Sequence, residues 1–192
     1  EALLTQLAEG ETEQGGGTFD YDRDHAFCRR AAAESAVLLK NEDGVLPLDR
    51  KQEVVFIGDF AEHPRFQGGG SSHIHTRTAT SAMDIAQVVE HVTFVPGYEG
   101  VEPDANLIAE AVEAAKTAKT AVIFAGLPNA METEGIDRTH MCLPESHNAL
   151  ITAVAAVQPN TVVVLYNGSP VEMPWADDVK GILEMYLPGD AA

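Results

Sequence analysis

Three carboxylates and one arginine fall within seven residues of the chain, at Glu132, Glu134, Asp137 and Arg138. A carboxylic acid held beside a glycosidic bond can protonate the leaving oxygen and afterwards, as a carboxylate, activate water. These residues therefore offer acid/base chemistry on a sugar, with Glu134 as the candidate acid. A solvated acidic loop, with Asp137 and Arg138 as a surface ion pair of little energetic value, explains the same residues equally well.

This acidic loop (residues 126–143) lies between a predicted strand and a predicted helix. The apolar run over 120–125 predicts a buried strand, and helical periodicity begins near Pro144. In βαβ units the loop that leaves the carboxyl end of a parallel strand commonly carries the functional residues. Long ordered loops in compact domains are also usually functional. The position of the acidic loop thus favours a functional role.

The rest of the chain alternates predicted strands and helices. Apolar runs predict strands over 37–40, 54–59, 92–97, 120–125, 161–166 and 181–186. Helical spacing predicts helices over 25–35, 80–89, 103–118 and 144–157. Asp24 is the expected N-cap of the first helix, and residues 45–48 are expected to be extended. The alternation predicts an α/β three-layer sandwich around a mostly parallel sheet of five to six strands, with flavodoxin-like or Rossmann-like topology.

Length and composition indicate how the chain is organised. Its 192 residues fit one domain with a full hydrophobic core. Residues 9–17 are acidic and glycine-rich, which is linker composition. We expect residues 1–20 to be a linker from a preceding domain and residues 21–192 to be the folded domain. Because the chain starts without Met and stops just after a predicted strand, we expect it to be a piece of a longer protein, truncated at its C-terminus.

The charge of the chain narrows the partners that it can bind. The formal net charge is −18, from 12 basic and 30 acidic residues. Nucleic acid and anionic membranes both need a cationic surface, so neither is an expected partner. No run of about 18 apolar residues predicts a membrane-spanning helix. Two cysteines, Cys28 and Cys142, cannot form a disulfide framework, and we expect a cytoplasmic location of bacterial type.

The glycine loop (residues 68–72) follows a predicted strand but lacks both the lysine of a P-loop and the spacing G-x-G-x-x-G. Nucleotide binding is therefore the less favoured interpretation, and we expect its backbone to pass close to another group, such as a partner domain or a ligand. His73 and His75 have no third ligand beside them in sequence, so no metal site is predicted. His140 and His147 are expected on the surface, and Trp175 is expected to anchor packing.

Several stretches of this chain resemble the second domain of glycoside hydrolase family 3. Residues 31–48 resemble the stretch that opens that domain, and residues 67–72 resemble its loop after the first Rossmann-like strand. Residues 132–138, followed by Leu143-Pro144, are similar to the family motif E-x-E-G-x-D-R…L-P. Residues 167–175 and 187–189 match later stretches. The resemblance covers about residues 20–192, in order and at the family's spacing.

The resemblance implies an α/β sandwich domain that packs beside an N-terminal TIM barrel of the same parent chain. The family's catalytic nucleophile is an aspartate on that barrel, so this chain alone is expected to be inactive. The second glutamate of the motif, Glu134, would be the general acid/base of a retaining, exo-acting β-glycosidase. Glu132 is the fallback, since the placement of the acid/base varies between family branches.

The resemblance also implies a substrate class and supporting residues. The substrate would be a β-linked oligosaccharide or an aryl or alkyl glycoside, with no cofactor. Asp137 and Arg138 would support the loop. Substrate-binding positions would be Gly69, Gly70, Ser71 and Ser72. Two alternatives stay open, namely a non-catalytic α/β domain that binds sugar or scaffolds the barrel, and a flavodoxin-like domain for a small ligand or nucleotide.

Overall fold

The computed structural model describes residues 20–86 and 91–191. Within them, six strands form one sheet in the order β1-β6-β5-β4-β2-β3. The strands are β1 (Val37–Asn41), β2 (Val54–Ile57), β3 (Val92–Val95), β4 (Thr120–Gly126), β5 (Thr161–Tyr166) and β6 (Gly181–Glu184). Only β1 is antiparallel to its neighbour, and the other pairs are parallel. The predicted α/β class with a mostly parallel sheet is confirmed.

Four α-helices accompany the sheet in the described part of the chain: α1 (Tyr21–Ser35), α2 (Ala82–Ala86), α3 (Ala105–Thr117) and α4 (Glu145–Ala155). Helices α3 and α4 cover one face, where their alanine, leucine and valine side chains pack against alternate residues of β2, β4 and β5. The opposite face packs against α2, residues 45–48 and a short 3₁₀ turn at Asp59–Ala61. No described helix is long and apolar enough to cross a membrane.

The central strands β4 and β5 are buried along their whole length, which is why continuous apolar runs predicted them well. Their carboxyl ends open into the acidic loop and into a second loop, which we call the β5 loop (residues 167–170). The loop that follows β2 runs to the same edge and includes the glycine loop. Parallel pairing of β2, β4 and β5 therefore brings three loops together at one edge of the sheet.

Some predicted boundaries were wrong. Helix α1 begins at Tyr21 because Asp20, rather than Asp24, is the N-cap and accepts from the Arg23 main-chain N–H at 3.1 Å. Residues 45–48 were predicted to be extended, but Val45 has helical backbone angles, φ −58° and ψ −26°. The segment packs on the sheet without pairing as a strand, and its Leu46–Pro47 bond is cis. Helix α3 begins after an Asp104 N-cap instead of at Pro103. Residues 87–90, which include the end of the helix predicted over 80–89, lie outside the described residues. The predicted linker also lies outside them, apart from Asp20.

Candidate active site

An open cleft of about 630 Å³ lies where the three loops meet. It is lined by both glutamates of the acidic loop and by residues from each neighbouring loop: Arg65, Gly68, Gly69, Glu132, Thr133, Glu134, Ile136, Asp137, Arg138, Thr139, His140, Met141, Gly168, Ser169, Pro170 and Leu187. The acidic loop thus forms one wall of a cleft at the carboxyl ends of the parallel strands, where α/β folds commonly bind ligands.

Glu132 points into the protein and is held by three donors. Its carboxylate accepts from the Arg65 guanidinium, from the Ser169 hydroxyl and, at 2.9 Å, from the Gly168 main-chain N–H. Burial raises the pKa of Glu132, but the hydrogen bonds from Ser169, Arg65 and Gly168 outweigh this and lower the net pKa below its usual value. Glu132 is therefore an ionised, fully engaged carboxylate.

Arg65 was missed as a site residue by the reasoning from sequence. Its side chain is only 4% exposed, and it reaches the acidic loop from the segment after β2. The guanidinium donates to Asn129 Oδ1 at 3.1 Å and to the Glu132 carbonyl at 2.7 Å, besides the Glu132 carboxylate. The sequence did contain a feature that could have identified Arg65. A cation in the loop after one buried parallel strand must lie at the same edge of the sheet as an acidic cluster in the loop after another.

Glu134, two residues further on, faces solvent. Its carboxylate makes one described hydrogen bond through Oε2, which accepts from the Ser71 main-chain N–H at 2.6 Å. Hydrogen bonding by Ser71 lowers the pKa of Glu134 below its ordinary value, with little opposing effect of burial. Glu134 thus presents an exposed carboxyl group at the mouth of the cleft, with Ser71 as its hydrogen-bond partner among the described residues.

The glycine loop approaches the acidic loop so closely that side chains would not fit between them. A Cβ on Gly70, where φ is +76°, would lie 2.6 Å from Glu134 Oε2 and closer still to Glu134 Cβ. A Cβ on Gly69 would lie 2.9 Å from the Thr133 Cβ. The expected close approach of this backbone is found, and the group that it approaches is the acidic loop of the same chain; an approach to a partner domain or a ligand stays a prediction. Of the four predicted substrate-binding residues, only Gly69 lines the cleft.

Arg138 joins the acidic loop to the β5 loop. Its guanidinium donates to Ser169 Oγ at 2.8 Å, to the Pro170 carbonyl at 3.0 Å and to the His140 carbonyl. The expected ion pair between Asp137 and Arg138 is not formed among the described residues, because the donors of Arg138 are used by these oxygens instead. Asp137 is exposed at the rim of the cleft.

Residues 36–192 match the family model described as the glycosyl hydrolase family 3 C-terminal domain. The chain belongs to this family. It is 50% identical over 190 residues to thermostable beta-glucosidase B of Acetivibrio thermocellus, covering 94% of this chain and 25% of that protein. It is 44% identical over 186 residues to the exo-alpha-(1->6)-L-arabinopyranosidase of Bifidobacterium longum, again covering 25% of that protein and 90% of this chain.

Solved structures agree with this assignment of the family 3 domain. The crystal structure of the Bifidobacterium adolescentis GH3 beta-glucosidase superposes with a TM-score of 0.90 at 43% identity, over 99% of this chain and 28% of that chain. The Listeria innocua beta-glucosidase in complex with isofagomine superposes with a TM-score of 0.82 at 25% identity, over 93% of this chain and 26% of that chain. The family 3 domain described here spans about a quarter of the length of these relatives.

A further carboxylate of the family 3 domain lies behind the β5 loop. Glu184 ends β6 and is 6% exposed, and it accepts from Asn167 Nδ2 at 3.1 Å and from the Tyr186 main-chain N–H at 2.8 Å. Burial raises the pKa of Glu184, and the negative charge of Glu132 raises it further against those hydrogen bonds. The short strand around Glu184 gave no sequence signal that its side chain is buried.

His147 corrects another expectation. The residue was expected on the surface but is 2% exposed, with its ring 4.0 Å from the Tyr98 ring, and it lines a separate cavity of about 360 Å³. Its Nδ1 accepts from the Gly126 main-chain N–H at 3.3 Å, and burial lowers its pKa to about 4. The signal was present in α4, since His147 precedes Leu150, Ile151 and Val154 on the same helical face. His140 is exposed, as expected.

Three further residues singled out from the sequence, Trp175, His73 and His75, lie outside the cleft. Trp175 is 1% exposed and donates to Asn148 Oδ1 at 2.9 Å, which confirms it as a packing anchor. The rings of His73 and His75 meet edge to face with centroids 5.6 Å apart. Among residues 20–86 and 91–191, no group of three or more His, Cys, Asp or Glu side chains is arranged to hold a metal ion.

Proposed function

We propose that this domain supplies a general acid/base, Glu134, to the active site of a retaining, exo-acting β-glycosidase. The active site would be shared with an N-terminal TIM barrel of the same parent protein, which would carry the aspartate nucleophile. The length of the relatives supports this arrangement, because the chain accounts for only about a quarter of each of them. The names of the relatives support the reaction class, since they include beta-glucosidases and an arabinopyranosidase.

The observation that carries the proposal is the difference between the two glutamates of the motif. Glu132 has its carboxylate occupied by a buried guanidinium, a hydroxyl and a main-chain N–H, which hold it ionised. A group stabilised in this way is a poor proton donor. Glu134 is exposed at the mouth of the cleft, where Ser71 is its hydrogen-bond partner among the described residues. Of the two candidates, Glu134 is therefore the one that can reach a glycosidic oxygen.

Glu134 would act first as an acid that protonates the leaving oxygen and then as a base that deprotonates water. In the exposed domain its pKa is lowered, which is unfavourable for an acid at neutral pH. Docking of the barrel would bury the carboxyl group, and burial raises the pKa of a carboxylic acid. Retaining hydrolysis needs the two carboxyl groups about 5–5.5 Å apart, so Glu134 would work only with the barrel docked and the isolated chain would be inactive.

The substrate would be a β-linked glucosyl or xylosyl residue at a non-reducing end, in an oligosaccharide or in an aryl or alkyl glycoside. The exposed side chains of Ile136 and Met141 give the cleft an apolar rim that suits such aglycones.

Both described cysteines are free, and we place the parent enzyme in the cytoplasm.

The test is kinetic and uses the parent enzyme that carries this chain. In Glu134→Ala we expect kcat on an aryl β-glucoside with a poor leaving group to fall about 10²- to 10⁴-fold, since that bond needs protonation. The glycosylation step on an activated aryl glycoside should be nearly spared. Glu172→Ala removes another exposed carboxylate at this edge and should keep wild-type rates. Equal loss on both substrates in Glu134→Ala would favour the alternative of a non-catalytic scaffold domain.

A further inference from the structure

We propose that Arg65 is a positioning residue of this active site and acts on Glu134 through Glu132. The inference rests on the proposed function, because it takes Glu134 to be the acid/base. Arg65 lines the cleft, but its side chain is almost fully buried, whereas Glu134 is exposed on the acidic loop.

Arg65 holds Glu132 at two points. One terminal nitrogen donates to the Glu132 carboxylate, and the other donates to the Glu132 carbonyl at 2.7 Å. The Nε donates to Asn129 Oδ1 at 3.1 Å, so three nitrogens of the guanidinium bind the acidic loop. A guanidinium is a rigid planar fork, and it therefore sets the orientation of what it binds as well as its distance.

The loop after β2 also binds the acidic loop at a second position, Glu134. The main-chain N–H of Ser71, six residues after Arg65, donates to Glu134 Oε2 at 2.6 Å. The short segment 132–134 is consequently held at both ends by one loop, by a side chain at Glu132 and by a main-chain N–H at Glu134. Without Arg65, the hydrogen bonding between this loop and segment 132–134 would rest on Ser71 and the exposed side chain of Glu134.

The Glu132 carboxylate extends the arrangement to the β5 loop. It accepts from the Gly168 main-chain N–H at 2.9 Å and from the Ser169 hydroxyl, and Arg138 donates to that same hydroxyl at 2.8 Å. The loops after β2, β4 and β5 therefore converge on one carboxylate. A buried ion pair commonly adds little net stability compared with an apolar substitute, so geometry is the better account of why this one is present.

The first test is a ¹³C NMR pH titration of the Glu134 carboxyl in the 192-residue chain. Arg65→Lys keeps the positive charge but lacks the planar guanidinium, whose nitrogens bind several acceptors in a fixed geometry. If Arg65 positions Glu134, the variant loosens the contact with the Ser71 N–H, and the pKa of Glu134 rises toward its ordinary value. A surface substitution, Arg50→Lys, is the matched control and should leave the titration unchanged. A folded Arg65→Lys chain with the wild-type Glu134 titration would overturn the proposal.

The second test uses kinetics of the parent enzyme. Misplacement by about 1 Å can cost about 10²-fold in rate. We expect Arg65→Lys to lower kcat on a poor leaving group about 10- to 100-fold, with KM within about twofold and an activated substrate spared. Glu132→Gln should do the same, and the double variant should be no slower than either single variant, because the two residues act as a unit.

Two results separate this inference from the function on which it rests. If Glu134→Ala shows the dependence on leaving group but Arg65→Lys lowers only the unfolding midpoint, Arg65 is a stability residue and this proposal alone is wrong. If Glu134→Ala itself shows no such dependence, both proposals are wrong.

Discussion

Two pairs of identical residue types lie at the same edge of this sheet, and in each pair one member is buried and the other exposed. Glu132 is engaged with a buried arginine, whereas Glu134 faces solvent two residues later. His147 is packed against Tyr98, whereas His140 is exposed seven residues earlier. The buried members join loops and helices together, and the exposed members are free to meet other molecules.

The difference shows what decides the role of a titratable residue in this domain. Glu132 and Glu134 share a motif and a loop, but Glu132 accepts from donors on both the loop after β2 and the β5 loop, whereas Glu134 accepts from Ser71 of the loop after β2. The surrounding donors and the degree of burial therefore give Glu132 a structural role and leave Glu134 available for catalysis. The following substitutions test this contrast.

The largest effect is expected from Glu132→Ala. Removing the carboxylate leaves the buried Arg65 cation without its partner, which commonly costs about 3–5 kcal/mol of unfolding free energy. Glu134→Ala removes an exposed group and should leave the unfolding midpoint at its wild-type value. Urea unfolding of both variants measures the difference. Equal destabilisation by the two substitutions would mean that the two glutamates share one structural role.

A comparable but pH-dependent effect is expected at His147. Its folded pKa of about 4 lies below its ordinary value of 6.5, so between these pH values the unfolded chain binds a proton that the folded chain does not. Stability must therefore fall as the pH is lowered through this range, by at most about 3 kcal/mol from this residue.

Substitution isolates that contribution. His147→Asn can keep an acceptor for the Gly126 N–H but cannot titrate, so unfolding free energy should fall less steeply with acidity than in the wild-type chain. His140→Asn, at the exposed member of the pair, should keep the wild-type slope. A wild-type slope in His147→Asn would show that His147 is not the buried neutral group described here.

The smallest effect is expected at Gly70. Alanine at Gly70 or Gly100 must adopt a positive φ, at +76° and +72° respectively, and should cost roughly 1 kcal/mol at either site. Only at Gly70 does the added methyl group collide with Glu134. We expect Gly70→Ala in the parent enzyme to lose about tenfold in kcat on a poor leaving group, since misplaced acid groups lose rate. Gly100→Ala should keep the wild-type kcat, and similar kcat values for the two variants would contradict the close approach.

Much of the fold was predictable because β4 and β5 are buried on both faces and read as unbroken apolar runs. Residues 45–48 were predicted to be extended because Val45, Leu46 and Leu48 are apolar, but Val45 has helical backbone angles and the segment packs on the sheet without pairing. The start of α1 was misplaced because Asp20 and Asp24 are equally good caps by type, and only Asp20 accepts from the first turn.

The candidate site was predictable in part. The acidic loop and the glycine loop were both singled out, but their contact through Ser71 and Glu134 joins residues 63 positions apart, which no local pattern encodes. The same holds for Arg65 and Glu132. The direction in which each glutamate points is set by donors on loops distant in sequence, so residue types within the motif were insufficient to separate them.

The most direct measurement uses the Glu134→Ala and Glu132→Ala variants of the parent enzyme with an activated aryl β-glucoside. Azide is added to each variant, and the turnover rate and the product are determined. Azide needs no general base, so it can replace water where the acid/base has been removed. With Glu134→Ala we expect faster turnover and a β-glycosyl azide, and with Glu132→Ala we expect neither. A glycosyl azide from Glu132→Ala alone would contradict this expectation and assign the acid/base to Glu132.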